Sequence, residues 1–294
     1  SHDIPLEFAK FNLLTPYADD RFFDVGLKAL NMFAHENALL ARAIPSVARV
    51  MKDITDIAMS LQNAPAEAGA AITAGGTESI FTACWAARDY WREQNSASIA
   101  VPEVVAPITV HAAFQKSAHL LGLKLVTTDF DENFRGRASD IEALISANTA
   151  MIVGSAPAYP HGVFDPIEAL SEIAVRRGVW LHVDACVGGY VSPFAEKLGI
   201  DIPAYDFRLP GVRSMSADVH KHAYAPKGIS TLIYRDAKFL KYQSYSTKDW
   251  PYGSYESAGF AGSRPSHSMA AAWAIFHHLG EDGYRDVIGG IFRA

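Results

Sequence analysis

A lysine between two histidines, in the stretch Ser216 to Gly228 (S-A-D-V-H-K-H-A-Y-A-P-K-G), is the first feature that could do chemistry. Lysine side chains usually lie in water, where the ammonium group keeps its hydration. Lys221 instead has mostly apolar neighbours in the sequence, and its nearest acidic neighbour is Asp218. This setting favours a lowered pKa, and a neutral amine can attack a carbonyl and hold a Schiff base. Because His-Lys pairs are common, an ordinary loop lysine is the alternative.

A second candidate is the glycine turn Gly75-Gly76-Thr77-Glu78-Ser79, which separates a short apolar strand from a long helix. Glycine lets a ligand approach the backbone closely, and the free amides at a helix start suit a phosphate. Thr77 would add a hydroxyl donor. The alternative is an ordinary turn in which Thr77 is the helix N-cap.

The third candidate is the strand sequence W-L-H-V-D-A, in which alternation places His182 and Asp184 on one face. A carboxylate in apolar surroundings is costly unless a cation pairs with it. A protonated pyridine nitrogen would be such a partner, and it would keep the ring an electron sink. Pairing with an arginine or capping of the next helix is the alternative for Asp184. His182 is expected to lie behind the ligand-contacting residues or to be structural, not catalytic.

Histidines and a lysine at other strand and turn ends complete the set. His111 follows an apolar strand and could stack on a flat ring or cap a helix. His220 could reach a phosphate, and Lys227, after the rigid turn Y-A-P, could bind an anion or remain a solvated loop lysine. Together the candidates require a ligand with a phosphate, a flat ring with a basic nitrogen, and an aldehyde. That ligand is pyridoxal 5'-phosphate.

The elements that must position these residues alternate between strand and helix from residue 70 onward. The strands are nearly continuous in apolar residues, which predicts an α/β fold with a mainly parallel sheet and helices on both faces. Ligands bind at the carboxyl ends of such strands, where the candidates fall. The pattern predicts capped helix starts at Ser139 and Asp165, helices at 24–33, 45–62 and 268–279, and strands at 70–73, 104–110, 124–128, 150–155, 179–184, 212–217 and 229–234.

Composition narrows the classes of protein. The chain has 294 residues and a formal charge of −6, without a basic patch, so a nucleic-acid binder is not expected. Cys84 and Cys186 are too few for a disulfide framework, which predicts a reducing, cytoplasmic location. No transmembrane segment is expected, because no apolar run approaches the roughly 20 residues that span a bilayer. Residues 1–45 are interpreted as a packing or dimer-contact segment, and 46–294 as the large cofactor-binding domain.

These residues resemble a known family, the pyridoxal-phosphate-dependent sphingosine-1-phosphate lyases of the group II amino-acid decarboxylase superfamily. The resemblance runs from about Pro45 to Asp286. It implies the large domain of the type I fold of pyridoxal-phosphate-dependent transferases. The matching motifs are G-G-T-E-S at Gly75, H-A-A-F at His111, N-T-A-M at Asn148, P-H-G-V at Pro160, H-V-D-A-C at His182, D-F-R at Asp206, A-D-V-H-K at Ala217, Y-A-P-K-G at Tyr224 and A-G-S-R-P at Ala261.

The resemblance also implies roles for single residues. Lys221 would form the Schiff base, Asp184 would bind the pyridine nitrogen and His111 would stack on the ring. Substrate-side roles would fall to Lys227, which matches a lysine that binds the substrate phosphate, and to two tyrosines that could assist proton transfer. The cofactor phosphate would be held by Gly76, Thr77 and His220, and the two tyrosines are Tyr159 and Tyr224. The A-G-S-R-P loop is expected to approach the partner subunit of an obligate homodimer.

Two departures from the family pattern bear on the substrate. The family's N-P-L-H-P-D stretch corresponds here to N-A-L-L-A-R, so Leu40 stands where a histidine would approach the substrate phosphate. Arg42 or His35 could replace that histidine. The family's small C-terminal domain is also expected to be absent from this chain.

The leading interpretation is a carbon–carbon lyase that cleaves a 3-hydroxy amine by retro-aldol chemistry. The alternative with the same cofactor is an amino-acid decarboxylase, which needs a carboxylate site. A hydrolase with His111, His182, Asp184 and His220 as metal ligands would leave Lys221 and the glycine turn without a role. A non-catalytic dimerisation scaffold is the remaining alternative.

Overall fold

The computed structural model describes residues 20–293. Its helices are α1 (Asp20–Met32), α2 (Pro45–Leu61), α3 (Gly76–Gln94), α4 (Ala113–Leu121), α5 (Ala138–Ala143), α6 (Ile167–Arg177), α7 (Ser192–Lys197) and α8 (His267–Arg293). Its strands are β1 (Gly69–Thr73), β2 (Glu103–Pro107), β3 (Lys124–Thr128), β4 (Thr149–Ser155), β5 (Trp180–Asp184), β6 (Val212–Ala217), β7 (Ser230–Tyr234), β8 (Tyr245–Trp250) and β9 (Gly253–Ser257). Two 3₁₀ helices cover Ala38–Leu40 and Ala237–Gln243.

A seven-stranded sheet in the order β1-β7-β6-β5-β4-β2-β3 forms the centre of the fold. The pairs β3–β2, β2–β4, β4–β5 and β5–β6 are parallel, while β7 runs antiparallel to both β6 and β1. The expected α/β fold with a mainly parallel sheet is therefore confirmed. Strands β8 and β9 form a separate hairpin that the sequence analysis did not predict.

Alternation along the central strands divides the core into two layers, one on each face of the sheet. In β5, Leu181 and Val183 join the cluster that contains α2, α6 and α8, whereas Trp180 joins the cluster of α3 and α4. Every residue of β4 and β5 is buried. Helices on both faces explain why these strands read as nearly continuous apolar runs.

Some helix starts and ends match the predictions made from the sequence, and others do not. Helix α2 begins at Pro45, as the proline indicated, and α8 is interrupted at Gly280, whose φ of 57° matches the expected end of the helix at residue 279. The expected caps at Ser139 and Asp165 are wrong, because neither helix there has a side-chain cap. Asp165 instead accepts hydrogen bonds from the backbone of Gly136 and Ser155, so its carboxylate joins the loop before α5 to the end of β4.

The segment before α2 packs against the end of the chain. Helix α1, which starts before the expected residue 24, lies on α8, and Phe22 is buried in the core. The part of the predicted 1–45 segment before residue 20 lies outside the described residues. Asn37 donates to Ser263 Oγ at 3.0 Å and accepts from the backbone of Arg264, so this segment holds the A-G-S-R-P loop. The division at residue 45 stays a prediction.

Membrane insertion through a helix finds no support in the described residues. Between residues 20 and 293, no helix combines the length and the apolar composition needed to cross a bilayer.

Candidate active site

A cavity of about 780 Å³ opens where the carboxyl ends of β1, β5 and β6 meet the start of α3. This is the edge of the sheet at which the sequence analysis expected a ligand. Seven of the predicted site residues line it: Gly76, Thr77, His111, Tyr159, Asp184, His220 and Lys221. The fold therefore gathers residues that are up to 145 positions apart, from Gly76 to Lys221 (221 − 76), around one space.

Lys221 lies in this cavity as half of an ion pair. Its Nζ is 3.0 Å from Oδ2 of Asp218, whose side chain is 2% exposed. Burial favours the neutral amine, but the charges of Asp218 and Asp184 and the hydrogen bond to Asp218 outweigh it and raise the pKa of Lys221. The expected lowered pKa is therefore wrong for this arrangement, because the fold turns the near-sequence Asp218 towards the amine.

Asp184 is the last residue of β5, and two hydrogen bonds hold its carboxylate in place. Oδ1 accepts from the backbone nitrogen of Cys186 at 3.1 Å and from Ser216 Oγ at 3.2 Å. Asp184 does not pair with an arginine in any ion pair that we find among the described residues. The carboxylate lines the cavity and is available to a ligand there.

The glycine turn brings the backbone close to its neighbours. Helix α3 begins at Gly76 with Gly75 as its N-cap, so Thr77 lies inside the first turn and is not the cap. A Cβ atom on Gly76 would lie 2.7 Å from Asp218 Oδ2 and 2.8 Å from Cys186 Sγ. A Cβ on Gly75 would lie 3.1 Å from the ring of His220. This end of the cavity thus combines free helix amides with an imidazole.

His220 and His111 have their orientations fixed by the backbone. Nδ1 of His220 accepts from the backbone of Ile229, and burial lowers the pKa of His220. Nδ1 of His111 accepts from the backbone of Ala113 at 3.1 Å. The His111 ring meets that of Tyr159 edge to face, with 6.3 Å between centroids.

Tyr224 and Lys227 do not line the cavity. Tyr224 is buried in the core, where its ring packs against Phe22, and its backbone is left-handed with φ of 60°. Nζ of Lys227 donates to the backbone oxygen of His220 at 3.1 Å. Burial and the charge of Lys221 lower the pKa of Lys227, although Asp218 opposes them. Lys227 thus lies behind His220, and the roles given to both residues stay predictions.

Comparison with protein families decides the class of the chain. A family model described as the pyridoxal-dependent decarboxylase conserved domain matches residues 31–293. The chain belongs to the pyridoxal-dependent decarboxylase family.

Individual relatives agree with the motif resemblance. The chain is 42% identical over 262 residues to sphingosine-1-phosphate lyase of Arabidopsis thaliana, covering 87% of this chain and 48% of the relative. It is 38% identical over 226 residues to a probable L-tyrosine/L-aspartate decarboxylase of Methanothermobacter thermautotrophicus, covering 76% of this chain and 60% of the relative. The solved structure of sphingosine-1-phosphate lyase from Burkholderia pseudomallei superposes with a TM-score of 0.90 at 41% identity, covering 94% of this chain and 64% of that one. The chain spans about half the length of the curated lyases that it matches.

Pyridoxal 5'-phosphate is the cofactor of this decarboxylase family, and the residues around the cavity fit it. Lys221 supplies an amine for an aldehyde, and Asp184 a carboxylate for a ring nitrogen. The close approach at Gly76 and the amides of α3 suit a phosphate. The metal alternative fits less well, because both ring nitrogens of buried His182 are already hydrogen-bonded to serines.

Several residues of the site were missed from the sequence. The sequence identified Asp218 only as the nearest acidic neighbour of Lys221 and gave it no role, although the two residues close one turn that brings their side chains together. Cys186 lies between Asp184 and Asp218, and burial together with these carboxylates raises its pKa. Lys116 and Phe260 also line the cavity, but only the tertiary fold places them there.

Proposed function

We propose that this chain is the cofactor-binding part of a pyridoxal-phosphate-dependent lyase that breaks a carbon–carbon bond in a 3-hydroxy amine of the sphingosine 1-phosphate type. The observation that carries the proposal is the joint placement of Lys221, Asp184 and the start of α3 around one cavity. The similarity to sphingosine-1-phosphate lyases supports the choice of reaction.

Residues of this chain would hold the cofactor at four points. Lys221 Nζ would attach to its aldehyde, Asp184 would hold a proton at its ring nitrogen, and His111 would cover its ring. Its phosphate would be bound by Gly76, Thr77 and His220. When bound, pyridoxal phosphate supplies an electron-withdrawing ring that stabilises negative charge at the carbon beside the substrate nitrogen.

The reaction also requires a group that moves a proton at the substrate hydroxyl. As the bond between the amine-bearing carbon and the hydroxyl-bearing carbon breaks, the hydroxyl group loses its proton. The hydroxyl-bearing carbon thereby becomes the carbonyl carbon of an aldehyde. The bonding electron pair stays with the amine-bearing carbon, which later takes up a proton. Tyr159 lines the cavity beside His111 and is our choice for the hydroxyl proton. Tyr224 is the weaker choice, because its ring is buried against Phe22.

The chemistry of the cavity wall supports a substrate with an aliphatic chain. Phe81, Leu120 and Phe260 line the cavity, and burial of such a chain against them is favourable. Nζ of Lys227 donates to the backbone oxygen of His220, a residue that lines the cavity. We propose that Lys227 binds the substrate phosphate.

Decarboxylation of an amino acid is the second candidate. Lys116, which lines the cavity, could bind the carboxylate that such a substrate carries. The similarity to the probable L-tyrosine/L-aspartate decarboxylase also favours it.

Product analysis with the full-length protein distinguishes these candidates. The protein is loaded with pyridoxal phosphate and supplied separately with sphingosine-type 3-hydroxy amine phosphates and with L-tyrosine or L-aspartate. We expect an aldehyde from the former, released slowly when the substrate is sphingosine 1-phosphate itself, and no carbon dioxide from the latter. Release of carbon dioxide without aldehyde would establish the decarboxylase instead, and no visible cofactor absorbance would refute both.

Assembly and location are further proposals. We propose a homodimer in which the A-G-S-R-P loop, held by Asn37, contributes to the partner's site. Light scattering would give twice the chain mass if this is correct. Buried, unpaired Cys84 and Cys186 support the proposed cytoplasmic location.

A further inference from the structure

Behind Asp184, a continuous row of buried polar side chains crosses from β5 to β6. Register pairs His182 with Ser214 and Asp184 with Ser216, so alternate residues of both strands share one face. The hydrogen bonds run from Trp180 to Ser214 at 2.7 Å, from Ser214 to His182 at 2.8 Å, from His182 to Ser216 at 3.3 Å and from Ser216 to Asp184 at 3.2 Å. We define Trp180, Ser214, His182, Ser216 and Asp184 as the relay.

The chemistry of its first member fixes the direction of every hydrogen bond in the relay. An indole nitrogen can only donate, so Ser214 accepts from Trp180 and has its own hydroxyl proton left for Nδ1 of His182. A neutral imidazole that accepts at Nδ1 must carry its proton at Nε2, from which it donates to Ser216. Ser216 then donates to the carboxylate of Asp184. The opposite tautomer would leave the hydroxyl proton of Ser214 without an acceptor that we find among the described residues, and it would take the donor away from Asp184.

Burial keeps His182 in the neutral form that this direction requires. The side chain is fully buried, which lowers the pKa of His182 to about 4 although Asp184 opposes the shift. Phe114 packs edge to face against the imidazole with 6.0 Å between centroids, so the ring cannot turn freely. The proton on Nε2 is therefore held towards Ser216.

We infer that Ser216 and His182 are positioning residues that keep Asp184 anionic, and thereby keep a proton on the ring nitrogen of the bound cofactor. This inference rests on the proposed function, because it requires Asp184 to face that nitrogen. A hydroxyl donor stabilises the carboxylate relative to the carboxylic acid. Without it, the shared proton moves towards Asp184, and the ring loses its positive charge. The backbone nitrogen of Cys186 also donates to Oδ1, but a side-chain substitution does not remove it. Ser216 is therefore the donor that a variant can test.

The test measures protonation of the cofactor directly in the full-length protein. Pyridoxal phosphate labelled with ¹⁵N at the ring nitrogen is bound to the unaltered protein and to Ser216→Ala, Ser216→Thr, His182→Asn, Asp184→Asn and Ser171→Ala. The ¹⁵N chemical shift reports whether the ring nitrogen is protonated, and equilibrium dialysis gives the cofactor affinity. Ser171 is a matched control, since it is a buried serine on α6 whose Oγ accepts from the backbone nitrogen of Gly211.

We expect Ser216→Ala to shift the ¹⁵N signal towards the neutral ring and to weaken cofactor binding by roughly ten- to a hundred-fold, as for loss of a hydrogen bond to a charged group. His182→Asn should shift the signal in the same sense, while Ser216→Thr, which keeps the hydroxyl, and Ser171→Ala should resemble the unaltered protein. Rescue by threonine separates this effect from damage to the fold.

Two results would overturn the inference, and only the second would also overturn the proposed function. An unchanged signal and affinity in Ser216→Ala, with a shifted signal in Asp184→Asn, would refute the relay and leave the proposed function standing. An unchanged signal in Asp184→Asn would refute both, since Asp184 would then not contact the ring nitrogen.

Discussion

The ion pair of Lys221 with Asp218 sets the state of the reactive amine. A lysine whose pKa is raised by a buried carboxylate is protonated near neutral pH, and a protonated amine cannot attack an aldehyde. Asp218 lies 3.0 Å from Nζ, so the group that holds the proton is also the nearest acceptor for it. Its Oδ1 is buried without a hydrogen-bond partner among the described residues. We therefore expect Asp218 to take the proton when Lys221 attaches to the cofactor.

Replacement of the lysine tests its role as the attachment point. In Lys221→Arg the positive charge beside Asp218 is kept, but a guanidinium does not form the covalent link, so turnover should fall below detection. After borohydride reduction and digestion, the unaltered protein should give a pyridoxyl peptide that contains Lys221, and the variant should give none.

Lys116 provides the control for this experiment, because it lines the same cavity. Lys116→Ala should still give the Lys221 adduct. A pyridoxyl group on Lys116 or Lys227 in the unaltered protein would contradict the assignment.

At the scale of elements, local pattern predicted the strands but not the contacts between them. Alternation in β5 was enough to place His182 and Asp184 on one face. The partners Ser214 and Ser216 depend on the register of β6, which shifts between Leu181 and His182, and no local signal in the sequence records such a shift. For the same reason Asp165 was misread as a cap, since its partner Gly136 is 29 residues away.

The start of α3 gives a prediction about the cofactor phosphate. In Gly76→Ala, the added methyl would lie 2.7 Å from Asp218 Oδ2 and 2.8 Å from Cys186 Sγ, so Asp218 and Cys186 would have to move. We expect about five- to a hundred-fold weaker binding of pyridoxal phosphate, because overpacking of this kind typically costs about 1–3 kcal/mol. Fluorescence or absorbance titration with the cofactor would measure it. Gly290→Ala, in open space on α8, should bind the cofactor like the parent, and equal affinities of both variants would contradict the prediction.

Strand β5 also gives the protein an acid-sensitive stability. The pKa of His182 falls from 6.5 in an ordinary setting to about 4 through burial, so the unfolded chain binds a proton that the folded chain excludes. The stabilisation is complete above about pH 6.5 and is lost as the pH falls towards 4, at about 1.4 kcal/mol per pH unit and about 3 kcal/mol in all. His222, which is partly buried, acts in the same sense, because burial and the charges of Lys221 and Lys227 lower its pKa.

Urea unfolding across that pH window would test the contribution of His182. His182→Asn should flatten the slope of unfolding free energy against pH by about one proton. Ser214→Ala should lower the free energy of unfolding but keep the slope, because the imidazole remains. An unchanged slope in His182→Asn would show that another group titrates.

At the scale of the whole molecule, the parallel sheet explains why scattered motifs could be assigned to one site. Strands that run in one direction end at one edge, so residues that follow β1, β5 and β6 meet there whatever their separation in the sequence. The same reasoning does not reach Tyr224 and Lys227, which lie in the turn after Lys221. The packing of Tyr224 against Phe22, from the far end of the chain, decides the position of that turn, and such a contact has no sequence pattern.

At the scale of the whole protein, we expect the choice of substrate to depend on the residue at position 40. Leu40 is 52% exposed on the 3₁₀ helix whose cap, Asn37, holds the A-G-S-R-P loop. A phosphate held by Lys227 without a histidine from position 40 lacks a charge-assisted hydrogen bond, worth about 1.5–3 kcal/mol. We therefore predict weak cleavage of sphingosine 1-phosphate by the full-length protein, and preference for a smaller or differently charged 3-hydroxy amine.

Leu40→His tests this prediction by returning the family's residue to an exposed position where it displaces no core contact. The KM for phosphorylated hydroxy amines should fall by about ten- to a hundred-fold, and kcat should change little, because the histidine would bind the phosphate and not the reacting carbons. Leu39→His, on the same 3₁₀ helix and 40% exposed, is the matched control and should leave KM unchanged. Efficient cleavage of sphingosine 1-phosphate by the unaltered protein would contradict the prediction. Arg42→Ala and His35→Ala would then identify which side chain supplies the missing hydrogen bond, since only loss of that residue should raise KM.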